Sequence, residues 1–178
     1  VDLPGLNRKL DTTLASLSDY RAWFVLHAVQ SQRQLFEILS QFWENHFVTQ
    51  QSKSADYFAN QGYNSTTAGW LATGWEFEEM TKWRNALLNP NCTFYDLLKI
   101  STESPAMIVY LDSAGSRGNG NNIANENYAR ELLELFTFGV DNGYDQNDII
   151  LMSRAWTGSP PRSTSARSGC CVSWPTRP

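Results

Sequence analysis

Apolar positions recur along this chain at intervals of three and four, the spacing that lines one face of an α-helix. In "LNRKLDTTLASL" they are Leu6, Leu10, Leu14 and Leu17, which predicts a first helix. Ser18 or Asp19 is placed to cap the next segment, "DYRAWFVLHAVQSQRQLFEILSQFWENHF", where the same spacing runs to about Phe47 and predicts two helices or one bent one. "SADYFANQGY" reads as a short helix ending near Gly62. "EFEEMTKWRNALLNP" reads as another, closed at Asn89-Pro90 because proline disfavours helix in the residue before it. Two starts are sharper. Thr93 with Asp96 three residues on forms a capping box ahead of "LLKI", and Ser104 precedes Pro105, a residue suited to the first helical position.

The Gly/Ser/Asn stretch "SAGSRGNGNN" reads as a loop. After it, "NENYARELLELFTFG" predicts a helix ending at Gly139 as C-cap. A turn and a last helix follow in "DNGYDQNDIILMSRAW", with Asp145 and Asp148 at N-cap spacing. No Val/Ile/Thr alternation appears, so the pattern predicts an all-α fold, an irregular multi-helix bundle. Residues 1–158 form its single helical domain. Residues 159–178 carry no acid and no Leu, Ile or Phe, and are crowded with Ser, Pro and Arg. They read as a disordered tail or as out-of-frame translation of GC-rich DNA; Cys170-Cys171 and Trp174 favour the second.

The 178 residues, with seven Trp, suffice for a sizeable core. A net charge of −4 argues against a nucleic-acid or anionic-membrane surface. No apolar run reaches the length of a membrane span, and the start "VDLPGLNRKL" shows no signal peptide, which leaves the compartment open because a leader removed from the chain fits equally well. Cys92 stands alone and Cys170-Cys171 are adjacent, so neither a Cys-x-x-Cys zinc spacing nor a disulfide framework is expected.

At about 100° per residue, Glu126, Asn127, Arg130, Glu131 and Glu134 fall on one arc of the "NENYARELLELFTFG" helix. Tyr128, Ala129, Leu132, Leu133, Leu135 and Phe136 take the rest. The charged arc is either the solvated face of a buried helix or a polar cluster with a role: paired carboxylates do acid–base work or hold cations. His46 in "QFWENHF" is either a hydrogen-bonded core residue or a ligand. With His27 the only other histidine, a multi-histidine zinc site is excluded, leaving a mixed site of His46 with Glu131 or Glu134. "DNGYDQND" fails as a calcium loop, with Gly143 at the third position, Gln146 at the sixth and Met152 at the twelfth. There is no nucleophile elbow, P-loop or dinucleotide fingerprint.

"FWENHF", "SPAMIVYLD", "NENYARELLELFTFGVDNGYDQNDI" and "SRAWTG", in this order, resemble the bacterial domain-of-unknown-function 1800 family, over about Leu3 to Gly158. The resemblance implies a fragment of a larger, helix-rich, exported protein, periplasmic or extracellular. It also implies a possible partner of the sulfatase-like domain-of-unknown-function 1501 group, and names no activity or cofactor. Its motifs fall here on Asn125, Asn127, Ala129, Arg130, Glu131, Leu132, Glu134 and Leu135, and on Trp43, Asn45, His46 and Phe47. One departure stands out: Phe136 occupies the place of a family His, so a site pairing that His with His46 would be impaired here. Two readings follow. One is a non-catalytic scaffold or interaction domain of an exported assembly, with Arg130 and its acids locking helices together. The other is part of a metal-assisted hydrolase using His46 with Glu131 or Glu134.

Overall fold

The computed structural model describes residues 2–12, 14–116 and 124–155, and among these it is all helix and turn. The tail after Gly158 lies outside the described residues, as does part of the Gly/Ser/Asn loop.

Helix α1 spans Leu3–Asp11, with the Asp2 carboxylate accepting from the Gly5 amide at its start. It stops well before Leu14, which is about half exposed, so the four-leucine helix expected there is a single short one. Helix α2 (Leu17–Gln30) is capped by Ser16, not by Ser18 or Asp19; Asp19 instead sits at the third helical position, where its carboxylate accepts from the Ser16 amide. Helix α3 (Gln34–His46) follows after a break at Ser31, so the long segment is two helices. Helix α4 (Gln51–Asn60) begins before the segment read for it.

Helix α5 spans Ser65–Leu87, starting well upstream of "EFEEM", with Asn64 capping the Thr67 amide. It is the spine of the molecule. Trp75 packs with Ala106 and Val109, Met80 with Leu6, Leu10, Tyr20 and Trp23, and Trp83 with Phe47, Leu97, Met107 and Tyr128. One helix therefore touches three apolar clusters, and burying such aromatic side chains supplies most of the favourable free energy of folding. The two sharp starts stand where the pattern places them: α6 (Phe94–Thr102) behind the Thr93/Asp96 capping box, and α7 (Pro105–Tyr110) behind Ser104.

Helix α8 (Asn127–Glu131) runs on without a break into a π-helical turn over Leu132–Thr137. The wider turn is visible in the Phe138 amide and Thr137 hydroxyl, which reach back five residues to the Leu133 and Leu132 carbonyls. Gly139 then ends the helix at φ +89°, its amide also on the Leu133 carbonyl, as a glycine C-cap requires. One extra residue per turn shifts the arc after Leu132, and Leu135, expected on the apolar side, is exposed. Helix α9 (Gln146–Ala155) closes the described chain; Asp145 caps the Asp148 amide and accepts from the Asn147 amide as well.

Candidate functional site

His46 is the last residue of α3 and stands among five aromatic rings, those of Phe42, Trp43, Phe47, Phe94 and Phe136, with centroids 4.6 to 6.3 Å away. Its Nε2 lies 3.3 Å from the Phe136 carbonyl. A carbonyl only accepts, so Nε2 carries the hydrogen, and the basic nitrogen of the neutral ring is Nδ1. The long-range contact is therefore both an anchor and a choice of tautomer.

A cavity of about 500 Å³ opens beside this ring. His46 and Asn45 line it from α3, Lys53 from α4, and Asn127 and Glu131 from α8, with Leu135 and Phe136 of the π turn completing the wall. Lys53 is fixed there by the Tyr110 carbonyl at 2.8 Å and by both Asp112 oxygens at 3.1 and 3.2 Å. Glu131 is pushed up by partial burial first and by the Glu134 charge second. The cavity is thus lined by one cation, one carboxylate, the three amides of Asn45, Gln50 and Asn127, and an imidazole, against an apolar wall, a set suited to a small polar ligand.

The remaining charged residues face elsewhere. Arg130 donates to Glu126 at 3.1 Å, to Gln146 at 2.6 Å and to Glu134 at 3.5 Å. Gln146 in turn donates to Glu126 at 2.9 Å, so this network ties α8 and the π turn to α9. It is open to solvent, with the Arg130 side chain 39% exposed. Asn125 is structural too. Its Nδ2 reaches the Leu111 and Asp112 carbonyls and its Oδ1 takes the Asn127 amide, joining the end of α7 to the start of α8.

The structure therefore brings His46 and Glu131 together at one cavity and holds Arg130 and Glu134 in the surface network. Among the described residues, no three His, Cys, Asp or Glu side chains are grouped as a cation site requires. No described helix is long and apolar enough to cross a membrane.

The sequence from residue 7 to residue 172 matches the family described as Protein of unknown function (DUF1800). The chain belongs to that family. No curated protein and no solved structure matches it. Within this DUF1800 chain, Phe136 stands where the resemblance puts a histidine, and it is both buried and adjacent to His46.

Three features of the site region were missed in the sequence. Lys53 carried no signal, since its place depends on α4 docking against the end of α7. Glu37 and Arg84 form a bidentate pair between α3 and α5. Glu76 and Glu79 gave a readable signal: both lie on the helical stripe that carries Ala72, Met80 and Trp83.

Proposed function

We propose that this chain is a non-catalytic helical interaction domain of an exported bacterial assembly, and that it docks its partner through the outer face of α3. The observation behind this reading is the apolar stripe Leu35, Ile38, Leu39 and Phe42. These side chains are 39% to 70% exposed and spaced at i, i+3, i+4 and i+7, the pattern a helix offers to a helical partner. Phe94, also exposed, extends the stripe past His46. Contiguous apolar surface of this kind marks interaction sites more often than chance exposure. The resemblance supplies the partner: the sulfatase-like protein of the domain-of-unknown-function 1501 group encoded beside such chains. Surface plasmon resonance of the chain against that protein tests the proposal. Ile38→Glu and Phe42→Glu are expected to weaken binding by at least ~10-fold while far-UV circular dichroism is unchanged, and Glu131→Gln to leave it intact. Absence of binding, or binding indifferent to both α3 substitutions, removes this reading.

A second reading, a hydrolytic site, is supported by one specific observation: His46 and Glu131 line the same cavity. In it, His46 Nδ1 is the general base and Glu131 orients a water or substrate, with Asn45, Asn127 and Lys53 holding polar groups. A metal held there would have His46 and Glu131 as its protein ligands, because Arg130 occupies Glu134. Zinc titration calorimetry and a panel of chromogenic ester and phosphate substrates test it. Turnover or zinc binding lost in both His46→Ala and Glu131→Gln supports the site; none in the unmodified chain ends it.

A further inference from the structure

Helix α4 keeps one polar face along its whole length. Gln50 at its N-cap, Lys53, Asp56, Tyr57, Asn60, and Gln61 at its C-cap recur at intervals of three and four, so they share that face. Gln50, Asp56, Asn60 and Gln61 are exposed, and Lys53 and Tyr57 half-buried. Three cavities adjoin along the stripe. Its part from Lys53 to Gln61 lines one of about 610 Å³, whose far wall comes from α7 and the chain after it through Val109 and Asp112. Lys53 also lines the His46 cavity of about 500 Å³. Gln50 borders both that cavity and a third, of about 670 Å³, beside α2. Each has the size of a small-ligand pocket. From Gln50 to Gln61 the stripe advances about 16 Å at the rise of an α-helix, so the three follow one another along a line.

The chemistry of this row narrows its ligand. The side chains of Asp56, Asn60, Gln61, Asn127 and Glu131 make no hydrogen bond among the described residues, so their amides and carboxyls are free for a guest. Lys53, by contrast, is spent on Asp112 and the Tyr110 carbonyl. An amide offers a donor and an acceptor a fixed distance apart, and a carboxylate offers two acceptors. Both match neighbouring hydroxyls, each of which donates and accepts. Carboxylates outnumber Lys53 and Arg21 along the row, which disfavours a polyanion. The usual peptide modes are not offered either. Among the described residues no strand edge exists for an added strand, and α4 presents a polar face where an amphipathic helix needs an apolar floor.

We propose that the polar face of α4 is the floor of a groove that binds an extended, uncharged oligosaccharide, with successive sugar rings in the three cavities. Asn60, Gln61 and Asn127 grip paired hydroxyls, and Asp56 and Glu131 accept from them. Tyr57 and Tyr110, from the walls of adjoining cavities, cover the C–H faces of the rings. A helix face is straight, so the chain it fits is linear. Linked units that fill several cavities at once bind far more tightly than one unit alone. Binding here needs neither the α3 stripe nor turnover at His46, so it stands apart from the docking and hydrolytic readings.

Side-chain amides of Asn and Gln are visible in nitrogen-15 correlation spectra, so the unmodified full chain reports on its own groove. Titration with cellohexaose or with chitohexaose, both uncharged, is expected to shift the amides of Gln50, Asn60, Gln61 and Asn127. That of Gln34, at the opposite end of α3 from His46, should stay in place. Cellobiose, too short to fill the row, should bind at least ~10-fold more weakly than cellohexaose. The exposed Asn60→Ala and Gln61→Ala are each expected to weaken hexamer binding by about 3- to 10-fold, and Ile38→Glu on the α3 stripe to leave it unchanged. No shift with either hexamer, or equal affinity for cellobiose and cellohexaose, would overturn the proposal. So would binding confined to the deacetylated, positively charged form of chitohexaose, which reduces the groove to an acidic patch. Shifts of the same amides by an uncharged peptide rich in Ser and Asn, and by neither sugar, would assign the groove to a peptide and overturn it as well.

Discussion

At Arg84 the guanidinium lies over the ring of Phe36 at 4.6 Å and that of Trp23 at 5.4 Å while donating to both oxygens of Glu37. The two side chains are 13% and 9% exposed, so water screens the pair poorly. Arg130, with more partners, is 39% exposed, and its pairs are the screened surface kind. Charge count along the sequence favours Arg130 as the structural lock; burial gives that role to Arg84. Removing one member of a buried pair strands the other charge, whereas replacing both by apolar groups does not. Arg84→Ala is therefore expected to cost about 3–5 kcal/mol in urea unfolding, and the Arg84→Leu/Glu37→Leu pair much less. Arg130→Ala should cost under about 1 kcal/mol. Arg84 holds the Glu37 carboxyl below its ordinary value, so this stabilisation is present above about pH 4.5 and lost as pH falls. Equal costs for Arg84→Ala and Arg130→Ala would contradict this ranking.

Among the elements, those whose ends are written in local chemistry were legible. Thr93 with Asp96, Ser104 with Pro105, and Asp145 with Asp148 each satisfy backbone amides of their own helix, so nothing distant is needed to read them. The first half of α5 was not legible. "STTAGWLATG" is rich in Thr and Gly, poor helix formers, and its helix exists because Ala68, Ala72 and Thr73 are fully buried against neighbouring elements. The π turn was hidden for a related reason: one extra residue in the turn satisfies tertiary packing of Leu132, Leu133 and Phe136, not any local motif. That turn decides the candidate site. It exposes Leu135 and sets the Phe136 carbonyl against His46. The sequence pattern therefore named both His46 and Glu131 as candidates and grouped Glu134 with them, although Glu134 is held by Arg130.

Across the whole molecule, stability should follow the number of apolar clusters each helix joins. Helix α5 contributes Trp75, Met80 and Trp83 to three of them, so the helix as a whole leaves only by opening all three. Helix α9 is attached more locally, through Ile149 and Met152 against Ala129 and Leu133 and through the exposed Gln146 network. Opening α9 strips one small cluster, the Met152 contact at the edge of the Phe47–Trp83 cluster and a set of screened polar contacts. Hydrogen exchange measures this difference, because amides buried in the last structure to open exchange only through global unfolding. Amides from Thr73 to Trp83 are expected to exchange with the free energy obtained from urea unfolding. Those of α9 should exchange at least ~10-fold faster, about 1.4 kcal/mol lower. Arg84→Ala sharpens the comparison. It sits on α5 away from α9, so it should lower α5 protection by its full global cost and leave α9 exchange unchanged, since α9 opens by a route that does not break the Arg84–Glu37 pair. If instead α5 and α9 exchange together, and both shift with Arg84→Ala, the bundle opens as one unit and the spine has no separate standing.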